Sequence, residues 1–100
     1  MSASAQCMAA LERANEVRLA RAQVKREVRA GTLSISEAMD RECCQTMALF
    51  ELLGAQRRWG PARIARALRT AELVARIRVS QSRPVGRLTA RERAGILAAL

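Results

Sequence analysis

The chain reads as an all-α fold of about five helices, and three observations predict it. Apolar residues recur at steps of three and four along most of its length, never in the strict alternation of a half-buried strand. Two patterns, Ser34-Ile35-Ser36-Glu37 and Thr89-Ala90-Arg91-Glu92, mark helix starts, because the hydroxyl and the carboxylate can each take a first-turn N–H. Gly60-Pro61 marks another, since proline suits the first helical position, where a missing N–H costs nothing.

The elements follow in order. Residues 5–29 form one long helix, rich in Ala, Leu, Glu, Arg and Gln, without Gly or Pro, and stopped by Gly31. Its apolar stripe is Ala10, Ala14, Val17, Ala20, Val24 and Val28, expected to be buried against the rest of the chain. One residue further on runs a basic stripe, Arg18, Arg21, Lys25 and Arg29, about 100° away on the helix surface. A short helix opens at Ser34 and ends near Met39; residues 40–45 are polar and unpatterned. From Thr46, the residues Met47, Leu49, Phe50, Leu52 and Leu53 make a compact apolar helix expected at the centre of the core. A turn at residues 56–61 leads into a helix carrying Ile64, Ala67, Leu68 and Ala71, and reaching towards Ile77. Residues 80–86 are irregular, and a last helix carries Ile96, Leu97 and Leu100. The organisation is an N-terminal helix or arm, 1–32, beside a helical module, 33–100.

The chain has 100 residues, half of them apolar, with 18 Lys+Arg against 9 Asp+Glu. Lys25 is the only lysine; the other cations are arginines, whose planar fork of donors matches phosphate oxygens. Residues 1–50 hold seven cations and six acids, a net of +1, whereas residues 51–100 hold eleven arginines and three acids, a net of +8. Such segregation points to a polyanionic partner.

Other classes fall away. There is no histidine for acid–base work and no phosphate-binding GxxxxGK[ST] or GxGxxG loop, so neither an enzyme nor a cofactor or small-molecule substrate is expected. Cys7, Cys43 and Cys44 are odd in number and lack CxxC spacing, which excludes a disulfide framework and a zinc site; reduced, partly buried thiols are expected. No stretch has the length of a membrane span or the form of a signal peptide, so the expected location is cytosolic.

Two constellations carry the remaining chemistry. In Arg57-Arg58-Trp59-Gly60-Pro61-Ala62-Arg63 a glycine turn opens a helix, where backbone N–H groups and the positive end of the dipole favour phosphate. Arg57, Arg58 and Arg63 surround Gly60, and Trp59 is expected as a plug beneath the turn. Ser82-Arg83-Pro84-Val85-Gly86-Arg87-Leu88-Thr89 leads into the last helix in the same way, with Arg83, Gly86 and Arg87 as its candidates. With two aromatics in the chain, stacking on single strands lacks its usual platforms.

At these residues the chain resembles the actinobacterial integration host factors and their shorter, including phage-encoded, relatives. Arg18-Leu19-Ala20-Arg21-Ala22-Gln23-Val24-Lys25, followed by Gly31, is similar to that family's long first helix. Leu49-Phe50-Glu51-Leu52-Leu53-Gly54-Ala55-Gln56-Arg57-Arg58-Trp59-Gly60 resembles the segment ending in its turn glycine. The run from Val79 to Arg93 resembles its closing segment, whose Arg-x-Arg signature falls on Arg91 and Arg93. Pro84 and Gly86 stand where the family often has arginines, and the interval from Gly60 to Val79 is longer.

The resemblance implies a long helix alongside a helix-two-turn-helix DNA-binding module, with Gly60 and Arg63 on the first phosphate-gripping turn and Arg83 on the second. It implies non-enzymatic, largely sequence-independent binding of double-stranded DNA in the nucleoid, with bending or organisation of that DNA. A recombinase would then meet the protein only through shared DNA. Arg18, Arg21 and Lys25 are expected to extend the footprint or to reach a second duplex. The residues leave two other partners open: structured RNA or the ribosome, and an acidic protein bound by a phage-encoded chain.

Overall fold

A helix exists where side chains favour it and ends where the backbone must turn, and the computed structural model, which describes residues 3–100, shows this at each boundary. The protein is all-α, with α1 (Ala3–Ala30), α2 (Ile35–Met39), α3 (Leu49–Leu53), α4 (Pro61–Ala75) and α5 (Ala90–Ala98), and 3₁₀ turns at Glu42–Cys44 and Val85–Arg87. Among the described residues there is no strand, only an isolated antiparallel bridge between Ala48 and Pro84.

Gly31, at φ +81°, ends α1 in the left-handed region, so that the Thr32 and Leu33 N–H groups turn back to the Glu27 carbonyl at 3.0 and 3.3 Å. The expected burial of the α1 stripe holds only at its end. Val24 and Val28 are buried, whereas Ala10, Ala14, Val17 and Ala20 are exposed. The reason is length: 28 residues make a helix of about 42 Å, while the molecule measures 53 × 27 × 21 Å, so the first half of α1 outruns the body.

The core is centred on α3, as its apolar run predicts, with Met47, Leu49, Leu52, Leu53 and Ile96 fully buried. Two details differ. The helix begins at Leu49 rather than Thr46, because residues 45–50 are paired with residues 81–86. Gly86 and Val85 donate to the Gln45 and Met47 carbonyls at 2.8 and 2.9 Å, and Leu49 and Phe50 donate to the Arg83 and Gln81 carbonyls at 2.9 Å each. Phe50 is 47% exposed, since Leu49, Leu52 and Leu53 occupy the inward face of this short helix and Phe50 lies off it.

α4 stops at Ala75 rather than near Ile77, because Arg76 takes a left-handed conformation at φ +53°. α4 and α5 pack closely, and a Cβ on Gly95 would come within 2.8 Å of the Ala75 Cβ. All three cysteines are free, but Cys7 is exposed rather than partly buried, because it lies on the protruding part of α1. The Cys43 and Cys44 sulfurs are 3.9 Å apart, and burial, with Cys43 beside it, pushes the Cys44 thiol up to about 11.

Candidate nucleic-acid interface

A helix start leaves its first N–H groups without partners inside the helix, so each start must find acceptors or present donors to whatever approaches. The Ser34 hydroxyl accepts from the Glu37 N–H of α2. The carbonyls of residues 81 and 83 serve α3. At α5 the capping box is complete: the Thr89 hydroxyl accepts from the Glu92 N–H, and the Glu92 carboxylate accepts from the Thr89 N–H.

The start of α4 is different. Gly60 is its N-cap and has no side chain to offer, Pro61 follows it, and the first return bond runs from Ile64 to the Gly60 carbonyl at 3.1 Å. The Ala62 and Arg63 N–H groups therefore have no partner among the described residues. A Cβ on Gly60 would meet nothing within 4 Å, so the space over this helix end is open. Beside it lies a pocket of about 330 Å³ whose walls include Arg29, Arg57, Arg58 and Gly60. Arg58 takes φ +67° to close the turn, an uncommon conformation for a residue with a side chain. Trp59 is half-buried against the core, as a plug would be, and the Arg63 guanidinium stacks 4.6 Å over its ring. Arg29, Arg57, Arg58 and Arg63 are exposed, and none forms an ion pair among the described residues.

The second turn is occupied by the protein itself. Arg83 forms an ion pair with the nearly buried Glu92. Gly86 lies against Gln45, where a Cβ would come within 2.8 Å of Oε1 and 2.9 Å of the carbonyl, so this glycine permits a close backbone approach within the fold. Arg87 is exposed and forms no ion pair among the described residues. Arg91 donates to the Ala75 carbonyl at 3.1 Å, closing the end of α4. Arg93 pairs with Asp40 at 2.6 Å and donates to the Ser36 carbonyl at 2.8 Å, tying α5 to α2. The Thr89 N–H, with Arg83 nearby, holds the Glu92 carboxyl below its ordinary value, and the Arg93 guanidinium does the same for Asp40 while Asp40 raises Arg93.

The basic stripe of α1 divides in three. Arg18 is exposed on the protruding part. Arg21 and Lys25 dock the helix: Arg21 donates to the Cys43 carbonyl at 2.7 Å and to the Thr46 hydroxyl, and Lys25 pairs with Glu51 at 2.6 Å. Arg29 joins the first turn. Arg66 and Arg69 continue outward from Arg63 along the exposed side of α4, beyond the turn motif, and their spacing of three is visible in the sequence.

No family model, curated protein or solved structure matches the chain. Among the described residues no helix is long and apolar enough to cross a membrane, and no group of three or more His, Cys, Asp or Glu could hold a metal ion.

Proposed function

We propose that the protein binds the phosphate backbone of double-stranded DNA, largely without regard to sequence and without catalysis, and that it organises or bends DNA in the nucleoid. One observation carries this reading. Arg29, Arg57, Arg58 and Arg63 surround an uncapped helix start, and none of them forms an ion pair among the described residues. Fixed donors, a positive helix end and uncompensated guanidinium groups favour an anion that brings several charges at once. The resemblance to the integration host factors of actinobacteria supports a duplex as that anion, with α3, the two turns, α4 and α5 as the helix-two-turn-helix unit. The Trp59 ring is already stacked by Arg63, which argues against base stacking on single strands.

In this reading the first turn makes the grip, Arg66 and Arg69 extend it, and the second turn supplies Arg87 and the scaffold. The test is titration of unrelated duplexes by fluorescence anisotropy across a salt series. Neutralising about four phosphates gives a log–log slope of about −3.6. A flat slope, or strong preference for one short site, would overturn the reading, and tighter capture by duplex RNA would transfer it to RNA.

A further inference from the structure

On a chain of net charge +9, one groove has the opposite character. It lies between α1 and the Glu42–Cys44 turn, has a volume of about 670 Å³, and is lined by the apolar Val17, Ala20 and Val24 and by Glu16, Glu27 and Glu42. Arg41 is its only cation, and none of the three glutamates forms an ion pair among the described residues. The complementary charge and apolar surface stand at the end of α4. Leu73 and Val74, 76% and 77% exposed, are the most exposed large apolar residues among those described, and Arg69, Arg76 and Arg78 flank them in sequence. Glu72, half-buried, is the one acid nearby. The left-handed Arg76 ends the helix one residue after this pair, so the pair lies in the last turn of α4.

We infer that the α4 tip of one copy docks in the acidic groove of the next, making a head-to-tail contact between copies of this chain. Each side lacks what the other holds: apolar residues with carboxylates on one, apolar residues with guanidinium groups on the other, none of these charges in an ion pair among the described residues. Pairing of the glutamates with the arginines supplies most of the attraction and sets its orientation, and desolvating Leu73 and Val74 adds to it. Because the two surfaces differ, the contact is heterologous, and a heterologous contact whose rotation does not close continues as an open chain of subunits. The patch is small, so the association is weak and is expected in the micromolar-to-millimolar range. It does not depend on nucleic acid, and its test is made without any, so it can fail while the DNA reading stands, and the reverse.

Sedimentation equilibrium of the full chain over a wide concentration range at low salt reads the prediction. The weight-average mass should climb from 11.0 kDa past twice that value and return towards 11.0 kDa at high salt. A tip variant, Leu73→Asp with Val74→Asp, and a groove variant, Glu16→Arg with Glu42→Arg, should each stay at the monomer mass. All four positions are exposed, so circular dichroism should match the unaltered chain. An equimolar mixture of the two variants retains one intact tip and one intact groove per pair and should form dimers and nothing larger. A mass fixed at 11.0 kDa for the unaltered chain, growth that stops at a dimer, assembly that survives either variant, or a mixture that stays monomeric would each overturn the inference.

Discussion

The two turns before α4 and α5 look alike as strings of residues, each joining arginines and a glycine to a helix start, and they differ in who fills them. At the second, the acceptors are the chain's own: Thr89 and Glu92 close the start of α5, Glu92 takes Arg83, and Gly86 admits Gln45. At the first, the helix start is uncapped, the glycine faces open space and the arginines form no ion pair among the described residues. An arginine in a basic turn is thus a candidate ligand only after its internal partners are subtracted. That subtraction moves the site towards Arg29, Arg57, Arg58 and Arg63 and away from Arg83, Arg91 and Arg93.

The largest expected effect separates the two glycines. Gly86→Ala drives a Cβ into the Gln45 backbone and should cost about 1–3 kcal/mol of stability in urea unfolding. Gly60→Ser should hold stability or raise it by a few tenths of a kcal/mol, because it supplies the missing cap, while weakening duplex binding by occupying the same N–H groups. Equal destabilisation by both would erase the distinction between the turns.

Next come the arginines. Arg58→Gly removes a charge from a left-handed position that glycine adopts without strain. Duplex affinity should drop about tenfold, roughly 1.5 kcal/mol, at nearly unchanged stability. Arg83→Ala should do the reverse, leaving affinity almost intact and lowering stability by up to about 1 kcal/mol through the loss of a partly exposed ion pair. Affinity that falls more for Arg83→Ala than for Arg58→Gly would return the second turn to the binding site.

The internal pairs Arg83–Glu92 and Arg93–Asp40 also leave a pH signature. Glu92 and Asp40 are more acidic folded than unfolded, so their contribution is complete at neutral pH. It begins to be lost as the pH falls to the ordinary values of 4.5 and 3.8, and disappears below the lowered folded values. Glu92→Gln should flatten this acid limb in pH-dependent unfolding; a limb of the same depth would place the loss elsewhere. The smallest effect belongs to α1: Lys25→Gln should cost roughly 0.2–1 kcal/mol, as half-exposed pairs do, and leave binding unchanged.

What could be read from the residues was mostly local. The capping box at Thr89 and Glu92, the cap at Ser34, the Gly60-Pro61 start and the Gly31 stop all depend on neighbours within a few positions, and all five helices are present. What could not be read depends on distant partners. Nothing near Arg93 announces Asp40, fifty-three positions away, and nothing near Lys25 announces Glu51. Thr46 to Ala48 favour a helix as readily as an extended segment until residues 83–86 lie beside them. The stripe of α1 is regular from end to end, yet periodicity carries no information about where the body stops.

That last feature divides one continuous helix into two thermodynamic regimes. Residues 10–20 are all exposed, so their amides are protected almost only by the helix's own bonds, and a segment of this length is marginal in water without packing. Residues 24–30 are held by Val24, Val28 and the Lys25–Glu51 pair. Hydrogen exchange should therefore run fast along the first stretch and slow sharply near Arg21, where the guanidinium meets the Cys43 carbonyl. The amide-exchange profile of α1 would then locate the edge of the cooperatively folded body at a single turn of helix.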